Sequence, residues 1–140
     1  MDRKELAVKL HHEKFNCAQA VSCAFCNVMG YDPVTIFKLA EAFGRGMGAE
    51  NTCGAVSAMA MVIGMKESDG NLDDPKTKFH CYKLMDQATK RFLEKNGSIV
   101  CSELKHTDGD PVQQICDGYI RDAAVILDEL LLGIKEEGEA

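Results

Sequence analysis

Apolar residues recur along this chain at the spacing of an α-helix, and helix-starting and helix-stopping residues separate the runs. A first helix is expected over about Asp2–Glu13, with Leu6, Val8 and Leu10 on its apolar side. A second follows Asn16, a good N-cap, and carries Cys17, Ala20, Val21, Ala24 and Val28 along one face until Gly30 stops it. Asp32-Pro33 opens a third, through Ile36, Leu39, Ala40 and Phe43 to Gly44. The fourth is expected from about Thr52 to Ile63, ending near Gly64 and followed by a polar loop over 66–74. Asp74-Pro75 starts a long fifth helix to about Lys95, with Phe79, Tyr82, Met85 and Phe92 as core candidates, and Asn96-Gly97 ends it. Asp110-Pro111 starts the last, whose stripe is Val112, Ile115, Cys116, Tyr119, Ala123, Leu127, Leu130 and Leu131. The tail from Lys135 is acidic and is expected to fray. Strand signals are scarce and no linker divides the chain. The expected fold is all-α, a compact bundle of about five to six helices forming a single domain over residues 1–140.

Composition supports that reading and narrows the partners. Aromatics are only 6% of the chain and Trp is absent, so the core has to be packed from Leu, Ile, Val, Met and Ala. The net charge of −6, with no basic cluster, argues against nucleic acid and against anionic membranes. No stretch approaches the ~20 apolar residues needed to span a bilayer. The segment from Met1 to Lys14 is charged throughout and lacks the apolar run of a secretory signal, so a cytoplasmic protein is expected.

That expectation shapes the reading of the seven cysteines, an odd number that leaves at least one unpaired within a monomer. Stable structural disulfides are not expected in a reducing compartment, which leaves redox chemistry, metal binding or packing. Cys53 stands between a glycine-rich segment, Gly44-Arg45-Gly46-Met47-Gly48, and a run of small residues, Gly54-Ala55-Val56-Ser57-Ala58. With Asn51 or Thr52 as N-cap it falls in the first helical turn, where free N–H groups and the helix dipole favour a thiolate. Cys17 follows Asn16 in the same manner. Either alone is as well explained as a small core residue; the coincidence of both points to function. Ser57, Ala60 and Gly64 make a face along which a helix or a cofactor can approach closely.

Cys101, outside the long helices, has the freedom of a resolving thiol, whereas Cys116 lies on the apolar stripe of the last helix. Cys23-Ala24-Phe25-Cys26 spells C-x-x-C in mid-helix rather than at the strand–helix junction of thioredoxin-like proteins, and Asn27 excludes haem attachment. Cys81 reads as packing. His11, His12 and His106 read as solvated, and His80 has no ligand spacing to Cys81. Arg45 can hold an anion or lower a thiol pKa, although exposure is the default for an arginine. The glycine loop lacks the ending of a phosphate loop.

Four segments in order resemble the bacterial family of redox-active proteins named for its C, GCAxxG, C, C signature. They are Phe15-Asn16-Cys17-Ala18-Gln19-Ala20-Val21; Phe43-Gly44-Arg45-Gly46-Met47-Gly48 leading to Thr52-Cys53-Gly54-Ala55-Val56; Asn96-Gly97-Ser98 with Cys101-Ser102-Glu103-Leu104; and Cys116 on the closing helix. The resemblance covers nearly the whole chain. It implies a small helical protein of the kind common in anaerobic bacteria, with redox-active cysteines at Cys17, Cys53, Cys101 and Cys116. In this chain the Cys-Gly order departs from the signature's spelling, and its last glycine is Ala58.

Three functions follow as expectations. In the first, a thiol redox protein uses Cys53 as the low-pKa attacking thiol, Cys17 as its partner and Cys101 with Cys116 as a second or resolving pair. Its partner would be a redox protein or a small-molecule thiol or oxidant, and turnover as a thiol oxidoreductase is left open. In the second, the same four cysteines ligate an iron–sulfur cluster or zinc, although their wide spacings fit no sequence-local pattern. The third is a helical assembly subunit, a homodimer built on Leu130, Leu131, Leu132 and Ile134.

Overall fold

A computed structural model of the chain describes residues 1–105 and 112–135. Among the described residues the architecture is all-α, with eight helices: α1 (Arg3–His12), α2 (Cys17–Ala24), α3 (Cys26–Met29), α4 (Pro33–Ala40), α5 (Gly54–Glu67), α6 (Lys78–Asn96), α7 (Cys101–Leu104) and α8 (Val112–Leu132). The expected bundle is present, with two more helices than the upper count because one long segment divides and Cys101 begins a short turn of its own. His106, Asp110-Pro111 and the tail beyond Lys135 lie outside the described residues.

Local chemistry sets most helix starts. Asp2 caps α1 by accepting the Glu5 N–H, and Asp32 does the same for Thr35 at α4. Asn16 and Gln19 form a reciprocal capping box at α2, and the Gln19 amide also donates to the Phe37 carbonyl at 3.2 Å, which accounts for its burial. The second expected helix breaks at Phe25. Ser22 Oγ donates to the Ala18 carbonyl (2.7 Å), and the Phe25 N–H turns to the Ser22 carbonyl at 3.2 Å. Such back-bonding by serine bends a helix.

The core gathers Val21 and Phe25 of α2 and its junction, Val56, Met59, Val62 and Ile63 of α5, Phe92 of α6, and Ile120, Ile126 and Leu127 of α8. Helix α1 lies across α8 and α2, while α5 packs between α2, α6 and α8. Arg3 pairs with the buried carboxylate of Asp128, tying the first helix to the last. No helix among the described residues is long and apolar enough to cross a membrane.

One expectation about the core fails. Phe79 and Tyr82 are 73% and 62% exposed and touch each other edge-on, with ring centroids 5.9 Å apart. The reason is that α6 starts late, at Lys78, and inserts only its second half, where Ala88 and Phe92 are buried. Asn71 Oδ1 accepts the N–H groups of Asp73 and Asp74, holding the preceding segment as a side-chain-stabilised turn despite Pro75. The leucine run of α8, expected as a dimer face, is turned mostly inward. Leu131 is buried, Leu130 and Leu132 pack against the protein's own core, and only Ile134 of the set is exposed.

Phe92→Ala should therefore cost about 3–5 kcal/mol, the scale of an emptied aromatic site, while Phe79→Ala should stay within about 0.5 kcal/mol. Denaturant unfolding of the two variants checks the assignment. Equal losses would contradict it.

Candidate functional site

The loop after α4 brings the separated cysteines together. A 3₁₀ turn, Glu41–Phe43, leads into residues 45–50, where Arg45, Met47 and Glu50 all take left-handed φ values (55°, 63° and 57°). Each such non-glycine position costs about 1 kcal/mol or more, so the surroundings must hold the loop in place. The hold is visible in the backbone. Thr52 and Val100 form an isolated antiparallel bridge, flanked by Cys53 N–H donating to the Ile99 carbonyl at 2.7 Å and Cys101 N–H donating to the Asn51 carbonyl at 2.6 Å.

In this bridge Cys53 and Cys101 each sit one residue from the central pair, so their side chains emerge on the same side. Cys101 is thus fixed by backbone pairing and begins α7, in contrast to the mobile loop position expected for it. Cys53 is itself the N-cap of α5, one residue outside the helical turn that sequence assigns it, and its carbonyl accepts the Val56 and Ser57 N–H groups.

Three glycines make room for these approaches. A Cβ at Gly54 would collide with Cys17 Sγ and stand 3.0 Å from the Phe43 carbonyl oxygen. One at Gly44 would strike the Asn16 side chain that caps the Cys17 helix. At Gly46, where φ is +59°, it would fall 2.7 Å from Cys101 Cβ and 2.6 Å from the Asn51 nitrogen. The close backbone approach therefore survives this chain's departure from the literal signature. The small face farther along α5 does not take a helix: Ala60 is exposed and nothing lies within 4 Å of a Cβ built at Gly64.

The result is a cavity of about 270 Å³ lined by all four marked cysteines, Cys17, Cys53, Cys101 and Cys116, together with Arg45 and Lys105. His11, Asn16, Gly54, Leu104 and Tyr119 complete its wall. All four thiols are free. Cys17 and Cys116 are partly exposed, whereas Cys53 and Cys101 are each 7% exposed.

Burial overrides the helix terminus at Cys53. Loss of hydration, and then repulsion from Cys17, push its pKa from 9.0 up to about 12, against the N–H groups of Ala55 and Val56 that favour the thiolate. The expected low-pKa thiol at this position is thus corrected. Burial also pushes Cys116 up, to about 11, and raises Cys101, where Lys105 opposes it. Repulsion from Cys17 contributes at all three of the other cysteines, which marks Cys17 as the centre of the group.

Sequence reasoning missed Lys105, four residues after Cys101 and so one helical turn along α7; that spacing was the available signal. It also left His11 and His12 in solvent, which holds for His12 (55% exposed) but not for His11. His11 Nδ1 and His12 Nε2 each lie 2.6 Å from a carboxylate oxygen of Asp117, next to Cys116. His80 does contact a partner, Glu67, at 3.2 Å, away from this cavity.

The metal reading does not fit. Among the described residues, no group of three or more His, Cys, Asp or Glu side chains is arranged to hold a metal ion.

If the glycine at 54 exists to admit Cys17, Gly54→Ala should destabilise the protein by about 1–3 kcal/mol. Adding Cys17→Ala should return part of that loss, because the colliding sulfur is gone. Strictly additive effects in denaturant unfolding would contradict the close approach.

No curated protein and no solved structure matches the chain. A family model does, over residues 15–130, a span that contains all four cavity cysteines. The chain belongs to the family described as putative redox-active protein (C_GCAxxG_C_C).

Proposed function

We propose that the protein is a thiol–disulfide redox protein whose working group is the cysteine set around the cavity. The observation that carries this reading is that Cys17, Cys53, Cys101 and Cys116, scattered over the sequence, line one common space. Cys17 takes the attacking role because it is partly exposed and acts on the other three, while Cys53, buried and held protonated, takes the resolving role.

The exchange balances without a cofactor. Cys17, as its thiolate, attacks one sulfur of a small disulfide or of a partner protein's disulfide, and one thiol leaves. Cys53 then gives up its proton and attacks the Cys17 sulfur of the mixed disulfide, and the second thiol leaves. Two electrons have passed from the protein to the substrate, and an external thiol reverses the process. Cys101 and Cys116 hold a second electron pair at the same cavity, with Lys105 placed to favour the Cys101 thiolate.

Reduced protein should turn over hydroxyethyl disulfide in the presence of a thiol reductant, with Cys17→Ser losing the cavity's share of that turnover, and Cys53→Ser, treated with the disulfide in the absence of reductant, should stop as a mixed disulfide on Cys17. Because burial, the larger cause of the raised Cys53 pKa, persists in the mixed disulfide, the resolving step should quicken as pH rises above 7. Unchanged turnover in Cys17→Ser would overturn the assignment.

A further inference from the structure

The C-x-x-C segment lies outside the cavity and is absent from its lining. Its two cysteines straddle the break between α2 and α3: Cys23 is in the last turn of α2, and Cys26 is the first residue of α3. Residues three apart on a helix face one another, with Cβ atoms about 5–6 Å apart, and a disulfide needs about 3.5–4.5 Å. The junction at Phe25, where the helical ladder is already interrupted, is the place where that difference can be absorbed. Each thiol points at a carbonyl oxygen, Cys26 at Ser22 of α2 (3.6 Å) and Cys23 at Pro33 of α4 (3.9 Å).

Their surroundings are unequal. Cys26 is buried at 3% exposure, while Cys23 is half-exposed. The neighbouring Cys26 thiol holds Cys23 below the ordinary thiol value, and Cys23, with burial, pushes Cys26 up. An accessible sulfur supported by a buried, protonated neighbour is the division of labour that a two-step exchange requires.

We propose that Cys23 and Cys26 form a second dithiol, independent of the cavity, that closes to a disulfide on reaction with a low-molecular-weight disulfide. Cys23 attacks one sulfur of the small disulfide and releases one thiol, leaving a mixed disulfide on Cys23. Cys26 then gives up its proton and attacks the Cys23 sulfur, and the second small thiol departs. The protein loses two electrons and two protons, and two small thiols are formed from one disulfide. The oxidised form staples the end of α2 to the start of α3, so the redox state of the medium sets the stiffness of that junction.

The test uses the full chain, reduced and then exposed to oxidised glutathione, quenched in acid and alkylated. Fragmentation of the tryptic peptide 15–38, which carries Cys17, Cys23 and Cys26, reports each cysteine separately. The expected product has Cys23 and Cys26 linked, and this persists in Cys17→Ser, where the cavity chemistry is disabled. Cys26→Ser is expected to accumulate one glutathione on Cys23, with Cys26→Ala as the second variant, and Cys23→Ser to leave Cys26 unmodified. Alkylatable Cys23 after oxidation, or linkage of Cys23 only to Cys17, would overturn the proposal. Loss of the link in Cys17→Ser would do so as well, by making it a by-product of the cavity.

Discussion

The backbone bridge between residues 51–53 and 99–101 is the constraint on which the site depends. It joins the entry to α5 with the entry to α7 through two short hydrogen bonds, at 2.7 and 2.6 Å. In doing so it fixes Cys53 and Cys101 on one side, and it secures the left-handed loop that precedes them. Cys17 arrives from a different direction, over Gly54, because α2 packs on α5 with no side chain between them at that point. Cys116 is supplied by α8. Four distant positions thus reach one cavity through one bridge and three glycines.

Magnitudes decide what the cavity can do. A helix N-terminus stabilises a negative charge by about 0.3–2 kcal/mol, whereas removing an ion from water costs several kcal/mol. Cys53, nearly sealed, follows the larger effect and keeps its proton. That favours a division between a reachable attacking sulfur and a buried resolving one, in place of a single reactive thiolate.

What could be read from sequence was local. Asn16, Asp32-Pro33 and Gly97 announce their helix ends because capping involves neighbours in the chain, and the apolar stripe of α8 placed Ala123, Leu127 and Leu131 correctly as a buried side. The four cysteines were legible as a set through their flanking motifs. The bridge to Val100 was not, because it pairs residues nearly fifty positions apart with no strand-length pattern on either side. For the same reason Cys101 read as a loop residue and Lys105 went unnoticed. Phe79 and Tyr82 misled because hydrophobicity predicts burial only where a helix meets a neighbour, and the first turns of α6 meet none that covers them.

The central claim is that the four cysteines form one redox unit organised around Cys17. The most direct measurement is a disulfide map of the four cavity cysteines in monomeric protein after mild oxidation with diamide under non-denaturing conditions. The account predicts a Cys17–Cys53 bond formed within one chain, with Cys101 and Cys116 free or bonded to each other. Oxidation that leaves Cys17 and Cys53 both as thiols, or links them only between chains, would contradict it.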